Sequence, residues 1–153
     1  MPLELRKFRE FQTGVPELNS GKDEYMVKRD EPDYVDPYRL QIVDANTTSR
    51  TLKDVMAEGS LRRVYGSLGL CLELLNNPIT YSQRLINTNI PGKFYIAFPK
   101  VVLWRLPVKV LTYVFLEVTV DERAQVKFSL CFVGEFHQFS AFTPVTFLVN
   151  TER

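Results

Sequence analysis

The sequence predicts an α+β fold: an antiparallel β-sheet core with one or two helices packed on one face, preceded by a flexible N-terminal arm. Three observations predict it. One early stretch carries a helical period. Nearly everything from Leu68 onward reads as strand. Residues 1–35 combine eight acidic with six basic side chains, and Gly14, Pro16, Gly21 and Pro32 interrupt any periodic apolar pattern there. At 153 residues the chain fits one domain, read as an arm over 1–35 and a core over 36–153.

Within the arm, Leu5, Phe8 and Phe11 have helical spacing, but a helix over Leu3 to Phe11 is marginal without a partner. After Pro37, "YRLQIV" alternates apolar and polar side chains and reads as the first strand. The period then changes. Leu52, Val55 and Met56 share one helical face, Thr48 or Ser49 caps the start, Gly59 ends the helix, and Leu61, Val64 and Tyr65 extend it if it continues. The runs "LGLCLELL", "TYSQRLINT", "GKFYIAF", "VVLWRL", "VLTYVFLEVTV", "AQVKFSLCFV" and "FTPVTFLV" are apolar, β-branched or aromatic, bounded by Pro, Gly, Asn or charges, and all read as strands. The clearest hairpin joins "VLTYVFLEVTV" to "AQVKFSLCFV" through Asp121 to Arg123. Val114, Leu116, Val118 and Val120 form its more apolar face, and Tyr113, Phe115, Glu117 and Thr119 the other.

Nineteen basic and eighteen acidic side chains leave a net charge of +1, so no bulk field draws the chain onto nucleic acid or an anionic membrane. Any such contact has to be local. The N-terminus "MPLELRKFREF" has charges where a secretory signal needs its apolar run, and the expectation is a soluble protein made in the cytosol. Cys71 and Cys131 sit in apolar runs and read as buried thiols in a reducing compartment.

The sole histidine, His137, has Glu135 two residues away but no metal-ligand spacing, and Ser140 and Cys131 carry no nucleophile motif. "YGSLGL" lacks the pattern of a phosphate-binding loop, and no nucleic-acid motif is present. The reading is therefore a non-enzymatic chain without a cofactor or metal. Lys53, Arg62, Arg63, Arg84, Lys93, Lys100, Arg105 and Lys109 make a basic membrane-facing surface if the fold gathers them, with Phe94, Tyr95 and Trp104 as aromatic neighbours.

The succession "DPYRLQIVDANTTSRTLKDVMAEG", "RRVYGSLGLCLELL", "PGKFYIAFP" and "VLTYVFLEVTVDE" is similar to the core of rhabdovirus matrix proteins. The similarity covers roughly residues 33–125 and rests on texture and order: Asp-Pro before a strand, a short helix with an Asp-Val centre, a basic Tyr-containing entry into a long strand, and a later strand closing on Asp-Glu. It implies a virion component between anionic membrane and nucleocapsid that self-associates, drives budding and in several members suppresses host gene expression. The implied location is the host cytoplasm, the virion, the inner face of the host membrane or the nuclear pore.

The arm departs from that family pattern. Its net charge is −2 by count, and it lacks both the lysine-rich segment and the Pro-Pro-x-Tyr or Pro-[Ser/Thr]-Ala-Pro budding motif. The departures suggest an alternative, a matrix-derived accessory protein that binds a host factor of innate immunity or messenger-RNA export. In some family members a methionine among acidic residues docks on the nuclear-pore export machinery, and here Asp23, Glu24, Met26, Asp30 and Glu31 resemble that arrangement. A further use is self-association, with Tyr25, Met26 and Tyr34 lying in a groove of a neighbouring copy.

Overall fold

A computed structural model of the chain describes residues 24–31, 39–45, 51–62, 64–106, 108–140 and 142–150. The helix expected over Leu3 to Phe11 and the caps expected at Thr48 or Ser49 lie outside these residues. The fold is α+β. Among the described residues, six strands form one sheet: β1 (Glu24–Arg29), β2 (Leu40–Asp44), β3 (Gly92–Leu106), β4 (Val110–Val120), β5 (Val126–Gly134) and β6 (Val145–Asn150). Three helices accompany it: α1 (Leu52–Leu61), α2 (Leu68–Asn76) and α3 (Pro78–Leu85).

The path through the sheet is β2-β6-β3-β4-β5, and β1 pairs with β3 off that path. All pairings are antiparallel except β3 with β6, which run parallel at Tyr95–Val145 and Ile96–Thr146, so the sheet is mixed. The two strands expected at "GKFYIAF" and "VVLWRL" are one strand that passes through Pro99. Between the pairs Ala97–Phe115 and Val102–Tyr113, four residues of β3 face the single residue Val114. Proline has no N–H to give to a ladder and is tolerated in such a bulge. The bulge divides β3: its first half pairs with β6 and its second half, Val102 to Leu106, with β1.

Alternation along β4 sends its side chains into two cores. Val114, Leu116, Val118 and Val120 pack with Leu68, Cys71, Leu74 and Tyr81 of α2 and α3. Phe115 and Tyr113 pack with Leu52 and Val55 of α1 and with Phe139. Successive strand residues point to opposite faces, so helices cover both faces of the sheet rather than one as expected. The rings of Phe115 and Phe139 meet at 4.9 Å.

Two further expectations fail for local reasons. "LGLCLELL" and, up to Leu85, "TYSQRLINT" are helices, not strands. A short apolar run fits a buried helix as well as a buried strand, and leucines, which carry no branch at Cβ, favour the helix once Ser67 caps it, its hydroxyl accepting from Leu70 N–H at 3.1 Å. Pro78 stands at the first position of α3, where its missing N–H costs nothing. Helix α1 starts one residue after Thr51, whose side chain accepts from Asp54 N–H at 3.3 Å, and it runs past Gly59 to Leu61, leaving Val64 and Tyr65 outside it. Gly59 is needed for close approach instead of termination: a Cβ there would stand 2.6 Å from Pro99 Cγ.

The arm boundary also shifts. Residues 24–29 were expected in an unpaired arm, yet they form β1, with Tyr25 opposite Arg105 and Val27 opposite Leu103. Tyr25 is 8 % exposed and its ring stacks on Phe132 at 4.3 Å. A charged hexapeptide of this kind is held by its partner strand and by one buried ring, neither of which its composition reveals.

Candidate functional site

The end of β1, the end of α1 and the β3 bulge meet around a cleft of about 420 Å³ lined by Arg29, Glu31, Gly59, Ser60, Arg62, Val64, Tyr65, Pro99 and Lys100. The contact of Gly59 with Pro99 sets the helix end against the bulge. Each cation is then aimed by its own contacts. Arg29 donates from Nη2 to the Pro99 carbonyl at 3.2 Å. Arg62 donates from Nη1 to Glu58 Oε2 at 2.7 Å and to the Asp44 carbonyl at 3.0 Å, and its guanidinium lies 5.6 Å from the Phe147 ring centroid. Lys100 Nζ stands 5.4 Å over the Tyr65 ring, and Tyr65 is fixed by its N–H to the Leu148 carbonyl at 2.8 Å.

Three cations thus line the cleft with one carboxylate, Glu31, while Glu58, outside the lining, pairs with Arg62 and leaves a net excess of one positive charge. The excess of positive charge and the N–H groups of two guanidinium forks suit oxygen-rich anions. Beside the cleft, Leu61 at the end of α1 is 89 % exposed, an apolar side chain next in sequence to the Arg62 cation.

The sequence flagged Arg62 and Lys100 but not Arg29, which belonged to the presumed arm. The other flagged cations do not join them. Lys53 lies on α1 in a separate groove, and Arg84 is exposed on α3, on the opposite face of the sheet. Lys93 opens β3, 3.8 Å from Glu117 and 5.9 Å from the Tyr95 ring centroid. Arg105 and Lys109 sit at the far end of the same strand and in the turn that follows it. Arg63 lies outside the described residues.

The flagged arm residues also find places. Tyr25 is core, and Met26 is half-buried opposite Trp104, over whose ring Lys28 Nζ stands at 5.6 Å. Asp30 Oδ1 accepts from Leu68 N–H at 3.0 Å, and Glu31 lines the cleft. Glu24 pairs with Leu106. Asp23 and Tyr34 lie outside the described residues.

A second groove, about 450 Å³, runs between the start of α1 and the segment after β5, lined by Lys53, Met56, Tyr113, Glu135, Phe136 and His137 among others. Here the fold uses the backbone of His137: its carbonyl accepts from Leu52 N–H at 3.1 Å and its N–H donates to Gly134 at 3.1 Å. Its imidazole is exposed and meets Phe139 edge-on at 4.7 Å. Burial raises the Cys71 and Cys131 thiols above the ordinary range, which keeps both in the protonated, weakly nucleophilic form.

Among the described residues, no three His, Cys, Asp or Glu side chains are grouped to hold a metal ion, and no helix is long and apolar enough to cross a membrane. Comparison with known proteins found no matching family model, no matching curated protein and no matching solved structure.

Proposed function

We propose that the chain is a non-enzymatic, matrix-type viral protein that self-associates and contacts an anionic membrane through the cleft of Arg29, Arg62 and Lys100, with Leu61 entering the lipid interface. The observation that carries this reading is the convergence of three cations from three separate elements around one cleft, with an exposed leucine beside it. Near an anionic bilayer each basic side chain contributes about 1 kcal/mol. A local cluster therefore offsets a whole-chain charge of only +1. The order of segments shared with rhabdovirus matrix proteins supports the same reading. The alternative, a matrix-derived accessory protein that binds a host factor without a shell role, draws less support in the form that docks Met26 as a free peptide, because Tyr25 and Asp30 on either side are engaged in the fold.

Flotation with phosphatidylserine vesicles at low and high salt tests the membrane contact. The wild-type chain floats at low salt and is released at high salt. The triple substitution Arg29→Gln, Arg62→Gln, Lys100→Gln weakens partitioning by about 100-fold, from about 3 kcal/mol of lost attraction. Flotation unchanged in the triple variant, or absent in the wild type, overturns the reading.

A further inference from the structure

The edge of the sheet at β5 is long and plain. Among the described residues no strand lies beyond it. The N–H of Asp121 bonds to the Gln125 carbonyl at 3.0 Å and closes the β4–β5 turn. Antiparallel pairs alternate between bonded and non-bonded from that point. Lys127, Ser129, Cys131 and Val133 therefore bond to β4, and the backbone groups of Val126, Phe128 and Leu130 point away from the sheet.

Natural edges are blunted by charge, proline, bulges or shortness. The edge strand β1 has six residues, a register shift and two exposed cations; β2 has five residues and ends on an exposed aspartate. In contrast, β5 has nine residues, "VKFSLCFVG", with one charge, no proline and no break in register. The half-buried side chains of Leu130, Cys131 and Val133 leave apolar surface on both faces of that edge.

We propose that β5 pairs with the β5 of a second copy, antiparallel about a two-fold axis at Leu130, joining two sheets into one. This deepens the self-association in the preceding reading and rests on it. A second copy is the occupant because the strand is self-complementary in this register. Leu130 meets its own counterpart, Ser129 meets the partner copy's Cys131, and Lys127 meets valine instead of another lysine. No like charges face each other across the axis. One pair of nine-residue strands gives a contact at the small end of stable interfaces, so the pairing is weak and concentration-dependent.

Ser129→Cys tests the register. Residues 129 and 131 form a non-bonded pair across the axis, with Cα atoms about 4.5 Å apart, within disulfide reach. Mild oxidation should give a covalent dimer at least about 10-fold faster than in wild type, where Cys131 faces serine. Leu130→Pro removes the outward N–H, along with a side chain that packs on the core, and should raise the dimer dissociation constant about 10-fold or more by light scattering. If that variant fails to fold, the cysteine result decides alone. A chain that oligomerises while Ser129→Cys cross-links no faster than wild type overturns the β5 contact and leaves the assembly reading standing. A chain monomeric at every concentration and salt overturns both.

Discussion

The carboxylate of Asp30, one residue past β1, accepts from the N–H of Leu68 at 3.0 Å. The first strand thereby satisfies a donor that the start of α2 leaves open. Asp30→Ala should destabilise the fold by about 1 kcal/mol, read as a lower urea midpoint with unchanged slope. An unaltered midpoint would mean that β1 is detached in solution.

Two helical glycines should respond to alanine with opposite sign. At Gly59 the added Cβ meets Pro99 at 2.6 Å and Phe147 at 3.2 Å, so Gly59→Ala costs about 1–3 kcal/mol by overpacking. At Gly69 the nearest atom is the Ser67 hydroxyl at 3.7 Å, and Gly69→Ala stabilises α2 by about 0.5–1 kcal/mol. Thermal melts of both variants check the pair.

In the β4–β5 turn, Asp121 Oδ1 accepts from Arg123 N–H at 2.9 Å and Gln125 N–H at 2.8 Å, and Ala124 is held at φ 62°. That is left-handed backbone, which a Cβ disfavours. Ala124→Gly should raise stability by about 0.5–1 kcal/mol, and Asp121→Ala should lower it by about 1–2 kcal/mol, both by chemical denaturation.

Alkaline pH should weaken the fold. Burial, aided by Asp30 and Cys131, pushes the Cys71 thiol far above its ordinary 9.0; burial, then Glu117, raises Cys131 and Tyr95. All three bind their protons more tightly folded than unfolded. Stability is therefore fully present below about pH 9 and falls above it, as the unfolded chain ionises first, by up to about 1.4 kcal/mol per pH unit for Cys71. Urea midpoints between pH 8 and 10.5 in reductant should fall, and Cys71→Ala should flatten the decline. A wild-type midpoint flat over that range contradicts the burial of Cys71.

The hairpin of β4 and β5 was legible because its alternation and β-branched content are local. Helix α1 was legible from the spacing of Leu52, Val55 and Met56. Helix α2 was not, because Leu68 to Leu75 has apolar residues on every side and no period to read, and neither was α3, only eight residues long with the β-branched Ile79 and Thr80 in its first turn. Strand β1 was hidden for a different reason: its partner, Val102 to Leu106, is remote in sequence. The same distance concealed the cleft. Arg62 and Lys100 were flagged one by one, but their meeting with Arg29 depends on the bulge at Pro99 and on the missing side chain of Gly59.

The divided strand β3 also sets a timetable for the newborn chain. Tyr25 leaves the ribosome eighty residues ahead of Arg105, a wait of about 4–16 s at ordinary elongation rates. Leu40 waits longer, for Asn150. Until Arg105 emerges only the three helices can form locally, while β1 and β2 wait without their partner strands. The pairing of β2 with β6 is therefore complete only once Asn150 has been made, well after both strands of the β3–β4 pair.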